Sequence, residues 1–274
     1  MIIDAHVYCI PPQLQTYDAK LMTGEEVILD AIYRHQESPL ALALSDIGKI
    51  RESMKQNSID KVLLVPLPWY SEELCRISSE YLIDLAAKDE DLYALCTVSP
   101  TLLDKGLLEK HLKAGAVGIK VNPAWQKCVL DSAEMDALSE LAGHYGVPIM
   151  VHIDHSYKRS VTDPASLLNL ASRHPYTKYL AAHLGGGLGL YSLHPPLREK
   201  MQNIWFDTAT SSTMMMVKFY VEAGLQDRLL FGTDFPFNHC HNQYDQICSI
   251  QQAGFGENVT GNIFSNNFNL LFGV

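Results

Sequence analysis

Four residues in this chain stand where apolar runs stop: His6 in Ile2–Tyr8, His152 at the end of Val147–His152, His183 at the end of Lys178–His183, and Asp234 at the end of Arg228–Asp234. Imidazole nitrogens and a carboxylate are the donor set of zinc and similar first-row divalent ions. A lone histidine at a strand end is more often a hydrogen-bonded structural residue than a ligand. Four polar residues at matching positions form a pattern instead, and if those strand ends meet they make a metal site.

The elements that must bring them together follow from hydrophobic periodicity. As a strand, Ile2–Tyr8 places Asp4, His6 and Tyr8 on one face and Ala5 and Val7 on the other. Further apolar runs begin near Lys61, Leu92, Val117, Val147, Lys178, Asn203 and Arg228, separated by helical stretches such as Glu72–Lys88, Leu103–Lys113, Ala133–Tyr145, Pro164–Arg173 and Thr213–Ala223. Ser45 or Asp46 caps a further helix over Ile47–Met54. Strands alternating with helices are parallel and covered on both faces. Eight such units predict an α/β fold, a single (β/α)8 TIM barrel spanning residues 1–274, with catalytic groups at the C-terminal ends of its strands. An open doubly wound sheet is the alternative, but a glycine-rich turn after the first strand is its usual mark, and Tyr8-Cys9-Ile10-Pro11 follows here. An extended segment, Cys9–Leu44, with a helical piece around Gly24–His35, reads as a functional loop over the barrel. Gly185-Gly186-Gly187 after His183 fits a close backbone approach as well as phosphate binding.

The composition excludes several classes of function. At 274 residues, 47% hydrophobic and 19% charged, the chain is that of a globular protein with a sizeable core. A formal charge of −10 disfavours nucleic acid and anionic membranes as partners. Six cysteines without a CxxC pair read as reduced thiols, and the N-terminus lacks a leader pattern, so a soluble cytoplasmic protein is expected.

The motifs DAHVY, GIKVNP, PIMVHID, AAHLGGG, FDTAT, GTDFPF and NIFSNNFNLLFG, spread over nearly the whole chain, resemble the amidohydrolase superfamily. The similar branch includes aminocarboxymuconate semialdehyde decarboxylase and related small-molecule hydrolases and decarboxylases. The resemblance implies His6, His152 and Asp234 as metal ligands, zinc first, and His183 as a catalytic residue beside Asp234. It implies a small-molecule substrate, and a homodimer as a common arrangement. The family's first strand carries Asp-x-His-x-His, and here Tyr8 stands in place of the second histidine. A phenol with a reference pKa near 10 is a poor ligand unless a cation lowers it.

Around this set, Lys120 and Asn122 share a face of the fourth strand and are expected to contact substrate or to donate to a neighbour, and Asp4 to orient a neighbour by hydrogen bonding. Asp207 reads as structural. His239 or His241 is a substitute ligand if either loop residue turns inward, His155 follows three residues after His152, and Arg159 is a candidate partner for a substrate carboxylate. Trp69 and Trp125 are expected to wall a pocket, Trp205 to pack in the barrel, and Met214-Met215-Met216 to fill helix or pocket wall. The first expectation of function is hydrolysis of a small carboxylate-bearing ester, lactone or amide by a metal-activated water. The alternatives are decarboxylation of a small unsaturated acid, or a metal-free barrel acting as a binding protein.

Overall fold

In the computed structural model the described residues are 1–34, 38–153, 162–209, 214–237 and 243–274. Eight parallel strands pair in sequence order: β1 (Ile3–Tyr8), β2 (Lys61–Val65), β3 (Leu92–Thr97), β4 (Gly118–Val121), β5 (Ile149–Val151), β6 (Tyr179–Ala181), β7 (Ile204–Asp207) and β8 (Leu229–Leu230). Helices cross between them, among them Ile47–Asn57, Glu72–Ala86, Lys105–Lys113, Ala133–Tyr145, Pro164–Arg173 and Met214–Glu222. This is the single (β/α)8 barrel that the alternation predicts. The last strand is shorter than expected. The closing seam is carried mostly by residues just past it, where Ala5 N donates to Phe231 O (2.9 Å), Asp234 N to His6 O (2.9 Å) and Tyr8 N to Phe235 O (2.8 Å).

Local chemistry sets the helix starts. Asp46 caps Ile47–Asn57 by accepting from Gly48 N at 2.8 Å, while Ser45 instead donates its hydroxyl to Leu42 O. Ser71, Asp104, Ser132 and Asp163 cap the helices that follow them.

Two apolar layers hold the barrel. Outward-facing strand residues such as Val62, Leu64, Cys96, Ile119, Val151 and Phe206 pack on helix residues such as Ile50, Leu82, Leu108 and Leu138. Inward-facing Ile3, Leu63, Leu95, Met150, Leu180 and Leu230 fill the interior, and the C-terminal helix Asn267–Phe272 covers the lower end, with Phe268 against Tyr93.

The first strand departs from strict alternation. Asp4 pairs with Val62 and Val7 with Leu64, so β1 advances one residue more than β2 and carries a β-bulge between them. Ile3 and Ala5 therefore face the interior with Tyr8, whereas Val7 joins the outer layer. The single polar face expected for Asp4, His6 and Tyr8 is thus split by one inserted residue, a feature with no mark in the sequence.

The long segment after β1 is tied across the mouth. It forms a short helix, Glu26–Ile28, that runs into a wider π turn, Leu29–Tyr33. Glu25 is buried, and its carboxylate accepts from Tyr70 N (3.0 Å) and Ser71 N (2.7 Å) beyond β2. Lys127, beyond β4, donates to Gly24 O at 2.8 Å. Among the described residues no helix is long and apolar enough to cross a membrane.

Candidate metal centre

His6 is fully buried, and Asp207 at the end of β7 decides its orientation. The Asp207 carboxylate accepts from His6 Nδ1 at 3.0 Å and from the backbone N–H of His183 at 2.8 Å. A proton on Nδ1 leaves the Nε2 lone pair facing the interior, as in carboxylate–histidine–metal arrangements. Asp234 Oδ1 lies 3.3 Å from that Nε2, and one ligand atom each of His6, His183 and Asp234 lie within 4.8 Å of one another. This donor set and spacing fit a divalent cation. His152, just past β5, places Nδ1 3.1 Å from Nε2 of His183 and so stands beside the cluster. Its ring is stacked on Trp125 at 6.3 Å.

Two of the three clustered residues sit on left-handed backbone, Asp234 at φ 64° and His183 at φ 57°. Such conformations outside glycine are uncommon, cost on the order of 1–3 kcal/mol and concentrate at functional sites. After His183 the chain stays left-handed through Gly187. At Gly185 a side chain would press on Ala181 at 3.0 Å and Phe206 at 3.1 Å, which accounts for the glycine there as close backbone approach. Tyr220 fastens this turn, accepting from Gly189 N at 2.8 Å and donating to Leu184 O.

Lys120, on β4, is completely buried with Nζ 3.3 Å from His6 Nε2 and 5.5 Å from the centre of the Tyr8 ring. Burial lowers its pKa, and the charges of Asp207 and Asp234 oppose that. His6 is pushed down to about 4, by burial first and then by the Lys120 charge, so its ring is neutral. Burial raises Asp207, but His6 and His183 outweigh it and hold its carboxyl well below the usual range. Asp234 is raised by burial and by Asp207 and Asp4, with Lys120 opposing. The Tyr8 phenol is driven well above its ordinary value, by burial first and then by Asp234 and Asp207, so it remains protonated. The centre thus combines the Asp207 anion with the Lys120 amine and the neutral imidazoles of His6 and His183.

Asn122 follows β4 and is fully buried. Its Oδ1 accepts from Ala124 N (3.1 Å) and Trp125 N (3.3 Å), which fixes the amide and leaves Nδ2 without a partner among the described residues. Gln126 braces this turn through Val98 O, Trp69 O and Asn122 N. Asp4 points away from the centre. It accepts from Thr233 Oγ1 (2.6 Å), Thr233 N (3.0 Å), Gln243 Nε2 (3.0 Å) and His6 N (3.1 Å), so its only link to His6 is through the backbone.

Two readings of the sequence are corrected here. Trp69, expected to wall a pocket, is fully buried, and its indole N–H donates to Ser78. Asp207, read as structural, holds both His6 and His183. It carries the same mark as the other four, a polar residue closing an apolar run, and could have been found by it. Trp205 packs half-buried on the interior cluster. His155, Arg159, His239 and His241 lie outside the described residues.

A family model described as Amidohydrolase matches residues 73–267. No curated protein sequence matches. Among solved structures, 5-carboxyvanillate decarboxylase from Sphingomonas paucimobilis superposes with a TM-score of 0.82 at 14% identity, covering 100% of this chain and 99% of that one. 2,6-Dihydroxybenzoate decarboxylase from Rhizobium gives 0.77 at 16% identity, covering 99% and 98%. A 5-carboxyvanillate decarboxylase from Novosphingobium aromaticivorans, complexed with manganese and 4-hydroxy-3-methoxy-5-nitrobenzoic acid, gives 0.79 at 16%, covering 100% and 96%. The expectation of hydrolysis as the first function is corrected by these matches, which favour the decarboxylase alternative. The residues alone had no means of ranking the two reactions, since both use the same donors around the same ion.

Proposed function

The chain belongs to the amidohydrolase family, and from that premise we propose that it is a metal-dependent decarboxylase of a small carboxylic acid on an aromatic or unsaturated frame. The convergence of His6, His183 and Asp234 ligand atoms within 4.8 Å, beside a buried ammonium, supports the metal dependence, and the similarity to decarboxylase structures supports the choice of reaction. His6 and Asp234 hold the ion. The third ligand atom is a nitrogen of the His152–His183 pair: the geometry gathers His183 with His6 and Asp234, whereas the sequence resemblance implies His152 as the ligand and His183 as the group that faces substrate. Metal analysis of His152→Ala and His183→Ala decides the assignment, because only loss of the ligand empties the site. The donors suit zinc, and manganese accompanies a similar decarboxylase fold. Loading apoprotein with each ion and assaying it separates the two.

A bound divalent ion supplies positive charge that draws substrate oxygens and offsets charge developing in the transition state. The Lys120 ammonium adds a second attraction for a carboxylate or phenolate, in a buried setting where such attraction is strong. Trp125 offers a face for the ring, and the spare Asn122 amide N–H and the Tyr8 hydroxyl are donors that fix its orientation. In the reaction the bond between frame carbon and carboxylate breaks, carbon dioxide leaves, and the electron pair left on carbon takes up one proton. Asp234 is the proton carrier, and His183 positions the oxygens.

The test is a panel of hydroxybenzoates and unsaturated carboxylic acids, together with small esters and lactones, with carbon dioxide and new carboxylate both measured. Carbon dioxide from an acid is the expected result. New carboxylate without carbon dioxide would overturn the proposal. Activity undiminished in His183→Asn would remove that residue from its role.

A further inference from the structure

We propose that Lys120 is the resident cation of this centre: its ammonium donates to the lone pair through which His6 binds metal and so weakens the affinity for the ion. The inference rests on the metal-dependent reading above. Because His6 Nδ1 donates to Asp207, only Nε2 is left to accept, and it accepts from Lys120 Nζ at 3.3 Å. Asp234 Oδ1 approaches the same nitrogen at 3.3 Å. A metal taking Nε2 must therefore displace this ammonium hydrogen bond and share the charges of Asp207 and Asp234 with it.

Lys120 is held in place to compete. Its backbone lies mid-strand between Thr97 and Met150, and the Thr97 hydroxyl donates to its carbonyl at 2.9 Å. Its side chain has no exposed surface through which the charge could escape to water. Tyr8 provides the other half of the arrangement. Where a second histidine would present a lone pair, this chain presents an aromatic face 5.5 Å from the ammonium, a surface that attracts a cation without coordinating one. Tyr8 and Lys120 together thus convert the place for a second metal ligand into a seat for an internal monocation.

The experiment is calorimetric titration of chelator-stripped, full-length protein with Mn2+ and separately with Zn2+, comparing wild type with Lys120→Met, which keeps side-chain length without charge. Lys120→Met is expected to bind at least tenfold more tightly than wild type. Unchanged or weaker binding by a folded Lys120→Met overturns the inference. If that variant does not fold by circular dichroism, Lys120→Gln carries the same expectation and the same overturning result. Absence of metal binding by both proteins overturns the metal-dependent reading together with this one, whereas equal binding by both overturns only the role of Lys120.

Discussion

Asp4 and Asp234 are both buried beside the first strand, yet they are held in opposite ways. Asp4 sits in the closing seam with four donors on its two oxygens, two from Thr233 and one each from Gln243 and His6. Asp234 stands in the centre on left-handed backbone, its carboxylate facing a neutral imidazole and a buried ammonium. The seam is complete as it stands. The centre instead gathers ligand atoms of His6, His183 and Asp234 within 4.8 Å, a spacing that a divalent cation fits. One bulged strand supplies both, because the extra residue between Asp4 and Val7 turns Asp4 to the seam and His6 to the interior.

The sharpest way to break this comparison is to damage each side once. His6→Ala removes a ligand, and its metal content should fall below a tenth of an equivalent. An ion's contribution of several kcal/mol, at tenfold per 1.36 kcal/mol, makes the expected loss of decarboxylation about a thousandfold. Full metal content in that variant would remove His6 from the centre.

Asp4→Ala should do the reverse. It orphans the Thr233, Gln243 and His6 donors, so urea unfolding should show a loss of about 3 kcal/mol in stability. The protein that remains folded should keep its metal, measured per folded molecule. Loss of metal without loss of stability would mean that the seam and the centre are one unit.

Asp207→Asn tests the border between them. It removes the charge that orients His6 and leaves size unchanged, so metal affinity should drop about 10- to 100-fold by titration, with a smaller effect on unfolding than Asp4→Ala.

The barrel was legible because its signals are long: eight apolar runs separated by helical stretches, five of which begin at a polar cap. The cluster was legible for a related reason, since His6, His152, His183 and Asp234 each close or follow such a run. What the sequence hid depends on single residues. The bulge in β1 leaves no compositional trace, so Asp4 read as a companion of His6. Trp69 follows a strand as Trp125 does, and only the tie of Glu25 to Tyr70 and Ser71, which folds the long segment over it, separates a buried tryptophan from one that meets His152. The reaction was hidden more deeply, because hydrolysis and decarboxylation differ in where a substrate bond lies and not in the donors that hold it.

The smallest expected effect asks whether missing partners alone mark function. His111, on the helix Lys105–Lys113, is buried, and neither ring nitrogen has a hydrogen bond among the described residues. Unlike Asp234 it has no convergent ligand group around it, only Glu80, Lys110 and Arg76 acting at a distance. Burial lowers its pKa from the ordinary 6.5, Lys110 and Arg76 add to that, and Glu80 opposes. A histidine kept neutral in the fold takes up a proton more readily when unfolded, so its contribution to stability is present above pH 6.5 and is lost as pH falls through that value toward the folded pKa. His111→Leu should therefore flatten the pH dependence of unfolding between pH 7 and 5, raise stability at pH 5 by about 1 kcal/mol through removal of unsatisfied polar atoms, and leave decarboxylation at pH 7 unchanged. A loss of activity in this variant would mean that an isolated, unpartnered histidine on a barrel helix reaches the centre. The distinction between seam and centre would then have to be drawn by something other than the convergence of charged groups.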